Sequence, residues 1–369
     1  MSKKGIFFIL AAIFFLASAG SGAAQEPLVK KRIVVVSSYH REYLWTQETN
    51  EGLCAGLLKF GYFDDKEQIA LYTAKDSIET SKAGIYKFWM DTKRKKSKEN
   101  QADMALQIAE KIRAISPDLL FLGDDNAANY IGNIFLDSKI PIIFWGVNNT
   151  PVKYGLVDSI EKPGHNVTGV YQTGYYRESL QLLKRIVPAV KTYAILSDDT
   201  SSGRSHTKKI SLLNHRGELP MNLVESVSTN DYSSWKRKAL ELQDKVDAFF
   251  VAQYSGLKDR KGNYIPPEEV AAWYLTNIHI PEAAVLGQFV AQGMLCSADD
   301  SGFNQGYEAA VIAHDILAHG KDPGSYPVRT PGRGALMVNR QRAETLGIVL
   351  TKNMAIEKII DRALSLPKE

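Results

Sequence analysis

Cysteine is nearly absent from this chain of 369 residues, with Cys54 and Cys296 as the only two. That excludes a disulfide-stapled scaffold and a cysteine-rich metal site. One bridge is the maximum. Each cysteine lies in an apolar-periodic segment, so two separately buried thiols are the simpler expectation. Neither stands near the start of the chain, so no lipid anchor on an N-terminal cysteine is expected. Histidines are few and scattered (His40, His165, His206, His215, His279, His314 and His319). The only near pair on one helix, His314 and His319, is spaced by five and does not share a face, so no metal site is expected. Excess charge of one sign is also lacking. The chain has 45 basic and 41 acidic residues for a net of +4, and loss of Lys3 and Lys4 would leave +2. Such a balance argues against nucleic acid as a partner. No G-x-S-x-G elbow, P-loop or dinucleotide fingerprint occurs, so the expectation is no catalytic residue and no cofactor.

Long apolar runs are missing after the first 24 residues, and nothing later approaches the ~18–20 residues of a membrane span. Those first residues, "MSKKGIFFILAAIFFLASAGSGAA", combine two lysines, an apolar core of roughly a dozen residues and small residues before "QEP". They read as a cleaved export signal, residues 1–24, which implies a periplasmic protein that is not a lipoprotein and has no direct membrane anchor.

What is present is an alternation of strand-like and helix-like segments. "RIVVVSSY" reads as a buried strand and "TQETNEGLCAGLLKFG" as a helix. "QIALYTA" and "IYKFWMD" give extended signals, "SKENQADMALQIAEKIRAI" is an amphipathic helix that Ser97 can cap, and "PDLLFLG" and "PIIFWGV" are strands. The basic run "KRKKSK" (93–98) reads as a solvated loop ahead of that helix. A second series follows "GHNVTGVYQT": strands at "KTYAILSDD", "MNLVESVS" and "VDAFFVAQYS" are separated by helices, and "PPEEVAAWYLTN" is a helix opened by proline. The C-terminal returns, including the helix "GFNQGYEAAVIAHDILAHG" with Gly320 as its stop, stitch the halves together. The fold class is therefore α/β, with two doubly wound parallel-sheet lobes joined by a hinge of three connections. The expected division is 30–165 plus 293–325 for the first lobe and 166–292 plus 326–369 for the second.

Ligands of open parallel sheets gather beyond the carboxyl ends of the strands. The polar residues at those ends make up the candidate binding set. From the first unit come Ser38, Tyr39, Trp45, Asp124, Asp125, Asn126, Gly146 and Asn148, with Tyr171 at the hinge. Asp198, Ser201, Ser202, Tyr254 and Asp300 come from the second. In "LGDDNAANYIG" (122–132), one acid is expected to cap the following helix and another residue to face the ligand. Adjacent carboxylates in a turn point apart and rarely form an acid/base pair, so the role is recognition rather than chemistry.

The segments "KPGHNVTGVY" (162–171), "RESLQLLKRIVPAVKTYAILSDD" (177–199), "GFNQGYEAAVIAHDILAHGKDPGSYPVRTP" (302–331) and "MVNRQRAETLGI" (337–348) resemble the substrate-binding-protein family of ABC transporters that includes tryptophan-binding and other aromatic-amino-acid-binding members. The resemblance covers nearly all of the chain after the signal. It implies a type I periplasmic-binding-protein fold whose lobes close on a small molecule, such as an amino acid or related aromatic metabolite, for an ABC permease. "SSYHREYLW", "GDDNAANYIG" and "FWGVNNTP" look like a subgroup linked to signalling genes, which implies the alternative of a sensing subunit for a membrane sensor protein. An enzyme on the same scaffold would need a nucleophile and base that the sequence does not offer.

Overall fold

The computed structural model describes residues 30–95 and 97–363; the export signal read from the sequence lies outside them. The first unit contains β1 (Lys31–Ser37), α1 (Leu44–Lys59), α2 (Lys66–Lys75), β2 (Ser77–Glu79), β3 (Ala83–Trp89), α3 (Lys98–Ile115) and β4 (Leu119–Gly123). It continues through the short helical pieces α4 (Asp124–Asn126) and α5 (Asn133–Phe135), joined by a π-helical turn over Ala127–Gly132, and ends with β5 (Ile142–Val147) and β6 (Val167–Tyr171). Its six strands run in the order β2-β3-β1-β4-β5-β6, all parallel except the antiparallel edge strand β2. Ile33 to Val36 in β1 and Leu119 to Leu122 in β4 are fully buried, as central parallel strands covered on both faces must be.

The second unit contains α6 (Tyr176–Ile186), β7 (Thr192–Ser197), α7 (Ser201–His215), β8 (Asn222–Ser228), α8 (Tyr232–Gln243), β9 (Ala248–Gln253), α9 (Pro267–Asn277), β10 (Glu282–Ala284), α10 (Gly287–Ala291) and β11 (Cys296–Ala298). The long helix α11 (Gly302–His319) and the returns β12 (Leu336–Asn339), α12 (Arg340–Thr345) and β13 (Lys358–Ile360) complete the chain. The seven strands are ordered β13-β12-β11-β10-β9-β7-β8. Between β10 of this sheet and α12, a salt bridge between Glu282 and Arg342 is almost wholly sequestered from water, at 2.9 Å.

Helix α11 follows a strand of the second sheet yet packs on α1 of the first unit. Small residues make that possible: a Cβ on Gly52 would stand 1.9 Å from the carbonyl oxygen of Phe303, and one on Gly306 1.9 Å from that of Thr49. The chain therefore passes between the units three times, at 172–175, 299–301 and 320–335. Strand β6, assigned to the second lobe by the sequence boundary at 165, pairs with β5 in the first sheet. Likewise β11, placed with the first lobe by the boundary at 293, lies in the second sheet, and Arg329 bridges Val170 of β6.

"QIALYTA" departs from its extended signal and forms most of α2. Asp65 supplies the reason, its side chain accepting from Gln68 N at 2.8 Å as an N-cap, while Asp76 closes the far end in the left-handed region (φ 59°). Ser97 caps α3 as the sequence suggested, accepting from Asn100 N at 3.1 Å. Cys54 and Cys296 are both free and buried.

Candidate functional site

The strand ends of the two sheets meet in a polar seam. Ser38, one residue past β1, donates from Oγ to the carbonyl of Gly123 (2.6 Å) and accepts from Ala127 N (2.8 Å). It thus caps the helical segment from across the sheet, and neither Asp124, Asp125 nor Asn126 does so. Tertiary packing supplied the cap that local spacing assigned to the acids, because β1 and β4 lie side by side with their carboxyl ends level.

The three residues of that turn have separate roles. Asp124 is held in the left-handed region (φ 70°), and its Oδ1 accepts from Trp45 Nε1 at 2.6 Å. It is 2% exposed and forms no ion pair among the described residues; burial pushes its pKa well above the ordinary carboxylate range, with Asp125 adding to the rise. Asp125 is consumed by the exit of β5. Its carboxylate accepts from Asn148 N (3.2 Å), Asn149 N (3.0 Å) and Tyr154 Oη (2.8 Å). Asn126 donates to Thr92 Oγ1 at 2.8 Å. Gly146 (φ 64°) sits against Asp124, and a Cβ there would stand 2.6 Å from Oδ1, so only glycine leaves the carboxylate its place.

Contacts from the second unit close the seam. Tyr39 lies beside Ser202, and its hydroxyl pKa is driven up by burial and by the nearby Asp124 and Asp125. Tyr43 Oη donates to Ser255 Oγ (3.0 Å) and accepts from Gln288 Nε2 (3.3 Å). Asn149 Nδ2 donates to Ser201 Oγ (3.0 Å), and Ser205 Oγ donates to the carbonyl of Asn148 (2.9 Å). At the hinge Asp300 accepts from Gly174 N at 3.0 Å, and burial raises its pKa to about 6. The ring of Tyr171 is covered by Lys209 Nζ at 4.8 Å. Tyr39, Tyr43, Trp45, Asp124 and Ser202 are all buried, so the two units stand closed on one another.

Two expected site residues are placed elsewhere. Asp198 braces its own loops, accepting from Gly256 N (2.6 Å), Thr200 N (3.1 Å) and Thr200 Oγ1 (2.6 Å). Tyr254 turns into the second core, its ring centre 4.5 Å from that of Phe289 and its hydroxyl donating to Gln292 Oε1 at 2.5 Å. A strand-end position does not specify direction, and a tyrosine goes where both its ring and its hydroxyl are satisfied. Tyr254→Phe is therefore expected to leave solute affinity within about threefold of wild type. It should lower stability by about 1–3 kcal/mol through the unpaired Gln292 carbonyl; calorimetric titration and urea melts measure the two effects separately.

Lys93 is a seam residue outside the expected set. It stands in the basic run that reads as a solvated loop, yet it is 5% exposed, and its ammonium lies 4.6 Å from the centre of the Tyr39 ring and 5.2 Å from that of Tyr43. The signal was available, because Thr92 and Lys93 come shortly after Trp89, the last residue of β3, a strand end like the others. Gln305 had no such signal. It reaches the seam from the first turns of α11, accepting from Gly146 N at 3.1 Å.

Two α/β units whose polar strand ends face each other, linked by three passages of chain, define a binding protein that closes over a small solute. The chain belongs to the ABC transporter substrate binding protein family, whose model matches residues 70–359. A curated relative, the tyrosine-binding protein of Clostridioides difficile strain R20291, is 26% identical over 249 residues, covering 67% of this chain and 68% of that protein. The ABC domain in complex with L-Trp from Streptococcus pneumonia superposes with a TM-score of 0.67 at 19% identity, covering 90% of this chain and 100% of that one. The ligand-free, open substrate binding protein with adhesive properties from Clostridium difficile superposes with a TM-score of 0.64 at 23% identity, covering 89% and 98%. The type I periplasmic-binding-protein fold expected from the sequence is thus the fold of this chain. Among the described residues no helix is long and apolar enough to cross a membrane.

Proposed function

We propose that this protein captures a free aromatic amino acid between its lobes and delivers it unchanged to the permease of an ABC importer, working in the periplasm after loss of residues 1–24. The observation that carries the reading is Asp124, a buried carboxylate at the seam with one N–H donor and no cation paired to it among the described residues. A buried carboxylate without an ion pair is costly, even with the Lys93 charge nearby, and a ligand ammonium would supply a direct, charge-assisted hydrogen bond. Lys93 and the first turn of α7, which opens at Ser201 and Ser202, present positive charge and free N–H groups suited to the ligand carboxylate. Tyr39, Tyr43 and Trp45 supply a wall for an aromatic side chain. The tyrosine and tryptophan named for two relatives agree with this chemistry.

The test is a thermal-shift and calorimetric screen of the chain lacking residues 1–24 against tyrosine, tryptophan, phenylalanine, leucine and 3-(4-hydroxyphenyl)propionate. Ligand at a hundred times its Kd stabilises the folded state by about 2.7 kcal/mol. A selective rise in Tm with aromatic amino acids, and their recovery intact by chromatography, is the expected result. An equal response to the amine-free acid, or none to any amino acid, would overturn the ammonium-reading role and with it the proposal.

A further inference from the structure

A second cavity, of about 580 Å³, opens in the first unit between α1, α2 and the end of β3; none of the seam residues named above lines it. Cys54, Leu58, Ile69, Tyr72 and Trp89 give it largely apolar walls. Its floor carries a residue that strand periodicity reserves for an apolar side chain. Lys87 follows Ala83 and Ile85 on the buried face of β3 and is itself 6% exposed. Its ammonium donates to Asn50 Oδ1 (2.6 Å) and lies 4.3 Å from the centre of the Trp89 ring, and it forms no ion pair among the described residues. Burial lowers its pKa to about 8, which leaves most of it charged at neutral pH. An ammonium has three N–H donors, so a buried one held by a single amide oxygen is under-satisfied.

Further polar atoms around the same space lack partners. Among the described residues, Thr46 Oγ1 and Tyr72 Oη, on residues 2% and 1% exposed, find no hydrogen-bond partner, and neither does Asp76 Oδ1. The other oxygen of Asp76 is committed to Arg41 (2.5 Å) and Trp89 Nε1 (2.9 Å); the acid lies near enough to Lys87 to favour its charged form but makes no ion pair with it among the described residues. A native interior leaves few such groups unpaired, and three of those among the described residues share this one concave surface.

We propose that this cavity is a second small-molecule site, taking a monocarboxylic acid with an apolar body, its carboxylate on the Lys87 ammonium and the Thr46 hydroxyl and its chain or ring between Leu58, Ile69, Tyr72 and Trp89. The size falls within the range of small-ligand pockets, roughly 300–1,000 Å³. An acid without an amino group suits it: of the two carboxylates in the lining, Asp76 is already paired with Arg41 and Glu51 is exposed to solvent, so neither is a buried acid awaiting an ammonium. The site is independent of the interlobe reading, which asks for an ammonium at Asp124.

Octanoate and phenylacetate are the probes, titrated calorimetrically into the chain lacking residues 1–24, into Lys87→Met, and into Ala55→Phe, which fills the cavity from α1. Wild type is expected to take up one equivalent of at least one acid. Both variants, checked for native circular dichroism and cooperative urea unfolding, should bind it at least tenfold more weakly. A crystal structure of the complex should place the carboxylate at Lys87. Absence of binding by wild type to either acid, equal affinity in wild type and both variants, or a carboxylate located in the interlobe seam would overturn the proposal. The crystallographic arm decides the matter if a variant does not fold.

Discussion

Asp124→Asn is expected to weaken amino-acid binding by about a hundredfold or more while making the unliganded protein more stable at neutral pH. Both effects follow from one buried oxygen pair. On the proposed reading, the carboxylate of the liganded protein faces an ammonium in a site closed to water; removing one partner of such a pair costs about 3 kcal/mol or more because the other charge stays buried. Each ~1.4 kcal/mol is a factor of ten in Kd, which gives the hundredfold. Without ligand the sign reverses. Burial raises the folded-state pKa of Asp124 above that of the unfolded chain, so the folded protein binds the proton more tightly than the unfolded one. Stability is then lost as pH rises from the unfolded value, about 3.9, through the raised folded value. Asparagine keeps the shape and can accept from Trp45 without that loss. The variant should therefore melt higher than wild type at pH 7–8, with the gap shrinking towards pH 4. Affinity within threefold of wild type would remove Asp124 from the ligand's ammonium, whatever the melts show.

The largest stability effect is expected from Arg342→Leu. Glu282 is fully buried, and its oxygens accept from Arg342 Nε (3.0 Å), a second guanidinium nitrogen (2.9 Å) and Leu295 N (2.7 Å). Loss of the guanidinium strands a carboxylate in the core of the second sheet, a change that costs about 3–5 kcal/mol. The pair holds α12 against β10, and no seam residue contacts it, so solute affinity should persist under conditions where the variant is folded. Replacing both residues by leucine should recover most of the loss, since a well-packed apolar pair of similar volume is often as stable as a buried salt bridge. Urea midpoints for the two single variants and the double variant measure this. A single-variant loss below about 1 kcal/mol would mean that water reaches Glu282.

Several parts of this molecule were legible because they depend on near neighbours. The run Ile33 to Val36 marks a strand covered on both faces, Ser97 marks the start of α3, and Gly320 marks the end of α11 in the left-handed region. The rule that ligands gather at strand ends brought Ser38, Tyr39, Trp45, Asp124 and Ser202 onto one list, and the structure brings those residues together at the seam. The same rule could not separate Asp124 from Asp125. One is left with a single donor and the other is saturated by two backbone N–H groups and a tyrosine hydroxyl, and that division depends on where β5 ends relative to β4. It also listed Tyr254 and Asp198, whose side chains complete their own unit instead of facing the other.

Local chemistry along the sequence therefore determined the class of fold, the two-unit organisation and the set of polar ends from which a binding site could be built. Those features rest on periodicity, capping and composition, which act within a few residues. Only the tertiary structure decided which acid of the "GDDN" turn keeps hydrogen-bonding capacity to spare, that Lys93 belongs to the seam, and that Lys87 lines a second cavity without an ion pair among the described residues. A side chain's direction and its remaining hydrogen-bonding capacity depend on partners far away in sequence. Trp45 for Asp124 and Asn50 for Lys87 are such partners, and only the close packing of β1, β3, β4 and α1 brings them within reach.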